Sequence, residues 1–342
     1  MTDRGYQMQG ARNPVAFFSN GIGDHILALP SLRCLSEIYN RRLTLVTSPQ
    51  AGCTFFRGVP MRKIIEIEIW RASGELTFDV CALLAQIPQC DLFISLVPWY
   101  STSIQALIAF AQPAASIGLH FDYLDVRIPC NPKRHSMDLT FDVCKLIDPS
   151  KTVEQYVGPI IPPDQARAAA FKWIERPIGE KLLVLHPDSK PEKRWKLRHW
   201  QEFIGAFLGR NKNFYVAIVG CDDYNLDNIK CANRIRNCNR ASLSTALAIV
   251  SSADLFVGID SCMLHAADIA NVASVGLFGP TNVNQWGCRV TQNFRHVVSP
   301  TTRMCDITVP VVLSAVEDLL FKTENLGLSD CRAMNTVETI VK

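Results

Sequence analysis

The sequence has no long apolar run. Nothing in its 342 residues approaches the roughly 18 consecutive apolar residues of a membrane-spanning helix, which excludes that class and leaves docking on a membrane surface open. It also has little net charge. A formal +3, with Lys and Arg spread along the chain rather than clustered, sets nucleic acid aside as a partner. Although 13 cysteines are present, none is paired as CxxC, and Cys231 with Cys238, or Cys288 with Cys305, lack the spacing of structural zinc. No metal is therefore expected, and the cysteines read as buried free thiols. One exception stays open: Cys288, Cys305 and Cys331 lie in one C-terminal stretch and could hold iron or zinc if a fourth ligand came from elsewhere. Met1 to Asn13 is polar and lacks the apolar segment of a signal peptide, so the expected setting is a reducing cytoplasm.

Two nucleotide signatures are missing as well. There is no GxxxxGK followed by Ser or Thr, so a P-loop phosphotransferase is not supported. The Gly21-Ile22-Gly23 pair begins like a dinucleotide fingerprint, but Ile26 stands where the third glycine belongs, and no acidic residue closes the strand Leu43 to Thr47. Hydride transfer is disfavoured.

What is present is a repeated βα pattern. With 48% hydrophobic and 20% charged residues, a chain of this length can fill two cores. The first half reads as strands at Pro14–Ser19, Leu43–Thr47, Lys63–Ile67 and Asp91–Leu96, with helices over Asp24–Tyr39 and Ser101–Ala111. A linker follows, marked by Pro159, Pro162, Pro163 and Pro177, with a helical segment over Gln165–Ile174. The pattern then restarts: a strand at Lys181–His186, a helix at Trp200–Gly209, a strand at Phe214–Val219, helices at Asn225–Arg236 and Leu243–Ser251, and a strand ending at Val257. The expected fold class is α/β, two Rossmann-like doubly wound domains facing a central cleft. The last helix, near Val311–Phe321, is expected to cross back to the first domain.

Chemistry concentrates where strands end. Asp260-Ser261-Cys262-Met263 opens a helix after an apolar strand, where free N–H groups and the helix dipole favour an anion such as phosphate. Gly279-Pro280-Thr281 ends the next apolar run and is expected on the same sheet edge. Ser189, Lys190, Lys193 and Arg194 follow the strand at Lys181–His186, and cations beside a hydroxyl suit a diphosphate whose leaving charge a lysine neutralises. After the strand at Phe214–Val219, Asp222 or Asp223 could accept hydrogen bonds from a ribose or a base, or merely cap a helix. Asn20-Gly21-Ile22-Gly23-Asp24 makes a tight turn that leaves Asp24 at a helix start, as a cap or as a reactive carboxylate. His265 reads either as a buried, hydrogen-bonded histidine or as a catalytic one.

Taken together, these segments resemble the family 9 glycosyltransferases, the family of the ADP-heptose heptosyltransferases of lipopolysaccharide assembly. Gly23-Asp24 with Ile26-Leu27-Ala28-Leu29-Pro30-Ser31-Leu32-Arg33 is similar to the family's GD opening. His186-Pro187 with Lys193-Arg194-Trp195 resembles HPG…KRW, and Asp260-Ser261…Met263-Leu264-His265-Ala266-Ala267 with Phe278-Gly279-Pro280-Thr281 resembles DSGxMHLA…FGPT. Cys305-Asp306-Ile307-Thr308 is similar to the closing C-x-x-I-T. The resemblance implies a GT-B fold and an inverting transfer that needs neither metal nor cofactor, from a nucleotide-diphosphate sugar, with ADP-heptose favoured. It makes Asp24 the general base and Lys193 the group that stabilises the leaving diphosphate. Ser189, Asp222, Asp223, Asp260, Ser261, Cys262, Met263, His265, Gly279, Pro280 and Thr281 would hold the donor, and Asn20, Gly21 and Gly23 would lie on the acceptor side. Residues 1–160 would bind the acceptor, 161–180 link, 181–325 bind the donor, and 326–342 pack back on the first domain. The acceptor, whether glycan, lipid, protein or natural product, and the oligomeric state stay open. Arg57, Arg62, Lys63 and Arg71 are the candidates to meet a phosphorylated acceptor.

Two departures stand out. Cys262 replaces the glycine of DSG, and Asp188 replaces the glycine of HPG, adding negative charge near the donor phosphates. They motivate two alternatives: a catalytically idle nucleotide-sugar-binding scaffold, and a sugar epimerase-type enzyme on the same fold.

Overall fold

Apolar runs such as Lys181–His186 and Leu255–Ile259 are too uniformly hydrophobic for a sheet with one wet face, and each forms a parallel strand covered on both sides. The computed structural model describes residues 8–87, 89–222 and 231–325. The chain divides into two compact units. One runs to Ala170 and includes Ser242–Ala248 and Asn284–Trp286; the other comprises Phe171–Ala241, Ile249–Val283 and the chain from Gly287 onward.

The first unit is built on β1 (Pro14–Phe17), β2 (Thr44–Thr47), β3 (Lys63–Glu66), β6 (Leu92–Ser95), β7 (Ala115–Leu119) and β8 (Val126–Ile128), with a separate antiparallel hairpin of β4 (Trp70–Ala72) and β5 (Glu75–Thr77). The sheet runs β3-β2-β1-β6-β7-β8 and is parallel throughout, with Val15 opposite Thr44 on one side and Phe93 on the other. Strand order reverses at β1, which makes the end of that strand the natural ligand position. The helix Ile22–Ile38 leaves from that end and packs on the helix Ser136–Ile147.

The second unit repeats the plan with β9 (Lys181–His186), β10 (Phe214–Ile218), β11 (Ile235–Asn237), β12 (Leu255–Ile259), β13 (Ala273–Phe278) and β14 (Phe294–Val298), in the order β11-β10-β9-β12-β13-β14. Its strands are likewise parallel, and the order reverses at β9. Phe203 and Phe207 from the helix Leu197–Arg210 lie in one core with Leu183, Val216, Val257 and Leu277. Each such side chain, fully buried, stabilises by about 2 kcal/mol.

Two expectations are corrected here. Of the helix expected over Asn225–Arg236, the described part is a short 3-10 turn, Ala232–Arg234, followed by β11; residues 225–230 lie outside the described residues. The open edge of β10 accepts a strand there, with Val216 opposite Ile235, and pairing overrides local spacing. Arg234 fixes the turn by donating to the carbonyls of Leu208, Asn211, Lys212 and Phe214. The last helix, Val309–Asn325, belongs to the second unit rather than crossing back. Its apolar stripe of Val312, Val316 and Leu319 completes the core of that sheet, which explains where it packs. The proposed tail, 326–342, lies outside the described residues.

Candidate active site

At the carboxyl edge of the second sheet, β9, β10, β12 and β13 deliver four loops. Lys193 comes from a single 3-10 turn, Pro191–Lys193, and its Nζ donates to Asp260 Oδ2 at 2.7 Å. Asp260 is 4% exposed, so the pair is largely out of water, where a lysine has a strong tie and little freedom to wander. The neighbouring Ser189 Oγ donates to the Asp260 carbonyl at 3.4 Å. Asp260 therefore acts through Lys193, setting the ammonium in place.

Ser261 is the N-cap of the helix Cys262–Ile269, yet its side chain makes no capping bond. Its Oγ pairs instead with His186 Nδ1, 2.8 Å away at the end of β9. The first-turn N–H groups are thus left without the usual side-chain cap, on the strand edge where Lys193 stands. Burial drives the His186 imidazole down to about 4, the nearby Asp188 only partly opposing, so the ring is neutral at ordinary pH. Burial likewise pushes the Cys262 thiol up to about 11, and no thiolate charge opposes an anion at this helix end. Met263 and His265, on the same helix, are both buried. Gly279 lies against Met304 and the Thr302 carbonyl, Pro280 is exposed, and the Thr281 hydroxyl has no hydrogen-bond partner among the described residues.

The loop after β10 shows what Asp188 does. Asp188 is 8% exposed, and its Oδ2 accepts from the backbone N–H groups of both Cys221 and Asp222. A Cβ on Gly220 would collide with that oxygen, so the glycine makes room for Asp188. Arg194 closes the same junction by donating to the Ser189 carbonyl at 2.7 Å and pairing with the Asp222 carboxylate. Asp222 is thus placed beside the β9 loop, while Asp223 lies outside the described residues. Trp195, whose Nε1 donates to the Ile307 carbonyl at 2.8 Å, and Trp200 pack the β9 loop onto the core.

In the first unit, Asp24 is the third residue of its helix, which begins after Gly21, so the N-cap position is not its own. Its Oδ2 lies 3.0 Å from where a Gly21 Cβ would sit; Asn20 and Gly21 lead into the helix, and Gly23 is its second residue. His25, next in the chain, contacts the Gly21 carbonyl through Nδ1 at 2.9 Å and Ser48 Oγ through Nε2 at 3.3 Å. Burial lowers its pKa, partly offset by the Gly21 contact, so this ring also stays neutral. Arg62 and Lys63, in contrast, stand at the start of β3, at the opposite strand end from Asp24. There they line a cavity of about 280 Å³ with Asn13, Thr44 and Gln86. That position removes them from the Asp24 edge.

No three His, Cys, Asp or Glu side chains gather as a metal site among the described residues. Cys288 is buried, its N–H donating to His296, and Cys305 contacts Asp306; Cys331 lies outside the described residues. No described helix is long and apolar enough to cross a membrane.

The model of glycosyltransferase family 9 (heptosyltransferase) matches residues 108–310, more than half of the chain, including the loops at the carboxyl edge of the second sheet. The chain belongs to glycosyltransferase family 9. It is 27% identical over 133 residues to lipooligosaccharide heptosyltransferase 2 of Campylobacter jejuni, a match covering 35% of this chain and 40% of that relative's length. A glycosyl transferase family 9 structure from Veillonella parvula superposes with a TM-score of 0.74 at 18% identity, covering 92% of this chain and 99% of that one. The E. coli ADP-heptose lps heptosyltransferase II superposes with a TM-score of 0.69 at 16% identity, covering 91% and 99%. The two Rossmann-like units are those of the GT-B fold.

Within the family 9 pattern, several motif residues turn out to hold the scaffold. Arg33, which ends the GD opening, is half-buried and donates to the carbonyls of Tyr156, Gly158 and Pro159 at 3.1, 2.9 and 2.7 Å. It ties the first helix to the start of the proline-rich linker. The pairing of His186 with Ser261 escaped the sequence reading, because it joins motifs that lie 75 residues apart.

Proposed function

We propose that this family 9 protein is an inverting glycosyltransferase that moves a sugar from a nucleotide-diphosphate donor to an acceptor hydroxyl without a metal ion, with heptose and ADP-heptose the favoured donor pair. The observation that carries the reading is the Lys193 ammonium, held 2.7 Å from the buried Asp260 carboxylate, on the same sheet edge as the uncapped helix N-terminus after Ser261. Such a site offers positive charge and N–H donors to a diphosphate as it departs. In the proposed step Asp24 takes the acceptor hydroxyl proton, the freed oxygen bonds to the anomeric carbon, and the bond from that carbon to the diphosphate oxygen breaks. The nucleoside diphosphate leaves with the electron pair, stabilised by Lys193, Ser189 and the helix N-terminus. Asp222 and Thr281 are assigned to the donor. The described cysteines are free thiols, as a reducing compartment keeps them, and a cytoplasmic setting, with any membrane contact peripheral, is part of the proposal.

Calorimetric titration with ADP, UDP and GDP in the presence of a chelator, beside Lys193→Ala, tests the donor half. Selective ADP binding that is lost in the variant is expected. Absence of binding by all three contradicts the reading. Donor binding without turnover on any acceptor would favour the idle scaffold, and consumption of donor alone would favour an epimerase.

A further inference from the structure

Arg62 and Lys63 are cations that the transfer step leaves unused. β6, β1, β2 and β3 are neighbours in the first sheet, and the cavity of about 280 Å³ lies at their amino ends. Lys63 is the first residue of β3, Thr44 the first of β2, and Asn13 directly precedes β1. Asp24 follows β1 at the other end, so the four residues of that strand, about 13 Å, separate the two edges. A small molecule in the cavity therefore occupies a place of its own.

The lining carries positive charge that no acid answers. Arg62 Nη1 donates to Asn13 Oδ1 at 2.6 Å and Nη2 to the Arg12 carbonyl at 3.0 Å, both neutral oxygens. Lys63 Nζ donates to Gln86 Oε1 at 3.3 Å, again a neutral acceptor. Neither cation pairs with a carboxylate among the described residues, and both keep further N–H donors. Asp91, which borders this network, turns its two oxygens to the N–H groups of Arg12 and Asn13, at 2.6 and 2.8 Å. The pair is also well anchored, since the Arg62 N–H donates to the Leu43 carbonyl at 2.9 Å and Lys63 is paired into the sheet opposite Thr44. Beside the cations stand the carboxamides of Gln86 and Gln89, which serve hydroxyl groups and add no charge.

Two adjacent cations match a dianion, and the guanidinium fork with the lysine ammonium beside it suits phosphoryl oxygens. A carboxylate would answer only one of them. The volume is close to the lower limit of small-molecule pockets, about 300 Å³, which points to a ligand smaller than a nucleotide sugar. We propose that this cavity is a second anion site, which takes the phosphate monoester of a small polyol, its phosphoryl oxygens on Arg62 and Lys63 and its hydroxyls toward Gln86 and Gln89.

The test is calorimetric titration of the wild type, Lys63→Gln, Lys63→Glu and Lys193→Ala with glycerol 3-phosphate, acetate and glycerol. The wild type is expected to bind glycerol 3-phosphate saturably and at least about tenfold more tightly than acetate, with no binding of glycerol. Lys63→Gln should weaken binding about tenfold, as loss of one charge-assisted hydrogen bond requires, and Lys63→Glu should abolish it. Lys63 is exposed and its side chain makes one hydrogen bond, so both variants are expected to keep the wild-type thermal midpoint. Lys193→Ala, which alters the other sheet, should bind as the wild type does. Phosphatidic acid vesicles separate the two sources of such a phosphate. Sedimentation with them that Lys63→Glu abolishes assigns the site to a lipid headgroup, and binding of glycerol 3-phosphate without sedimentation assigns it to a soluble ester. The proposal is overturned if the wild type shows no saturable binding up to about 10 mM, or if acetate binds as tightly. Binding that survives in Lys63→Glu overturns it equally, whether or not Lys193→Ala removes it.

Discussion

Asp188 illustrates how a single side chain changes meaning once its contacts are known. As a departure from a glycine it suggested negative charge aimed at phosphates; in place, its Oδ2 is held by the Cys221 and Asp222 N–H groups and fills the space over Gly220. Gly220→Ala is expected to cost about 1–3 kcal/mol, since the new Cβ must displace a well-packed carboxylate. In an Asp188→Gly background the obstruction is gone, so the double variant should be less destabilised than the sum of the singles by at least about 1 kcal/mol. Urea unfolding of the four proteins measures this coupling, and strictly additive losses would contradict the contact. At Asp24 the prediction concerns chemistry. Asp24→Ala should lower turnover by at least about a hundredfold while leaving donor affinity nearly unchanged, as a base used only in the transfer step requires. Near wild-type turnover would remove the assignment.

At the scale of the element, strand ends were readable because buried parallel strands are continuous apolar runs stopped by polar turns. The helices Leu243–Ser251 and Cys262–Ile269 were equally plain from their spacing. β11 was not, because its pairing depends on the exposed edge of β10, which no local pattern encodes. The pairs at the carboxyl edge of the second sheet, His186 with Ser261 and Lys193 with Asp260, join segments about 70 residues apart and needed the fold. The helix Cys262–Ile269 also anchors a loop through its far end. Asp268, 1% exposed, accepts from the N–H groups of Arg289, Val290 and Thr291 at 2.8, 2.9 and 2.9 Å. Asp268→Ala would strand these donors and is expected to destabilise the protein by about 3 kcal/mol or more. A denaturation midpoint unchanged from wild type would show that the loop has other support.

Across the whole molecule, both units carry a buried neutral histidine, His25 in the first turn of the helix Ile22–Ile38 and His186 at the end of β9, and this sets how stability responds to acid. The His186 value is lowered by burial from 6.5 to about 4, so the unfolded chain takes up a proton at a higher pH than the folded one. Its contribution is therefore complete above the unfolded value and is lost as pH falls from 6.5 toward about 4. Between about pH 7.5 and about pH 5 this one group should remove about 2 kcal/mol of stability, with His25 acting in the same direction. His186→Gln keeps a neutral polar group near Ser261 but cannot titrate. It should be less stable than wild type at about pH 7.5 because of imperfect packing, yet lose less on acidification, so that the two stability curves converge. Urea titrations of both proteins at the two pH values decide the matter. Parallel curves would mean that His186 accepts its proton without opposing the fold, and that acid sensitivity arises elsewhere in the chain.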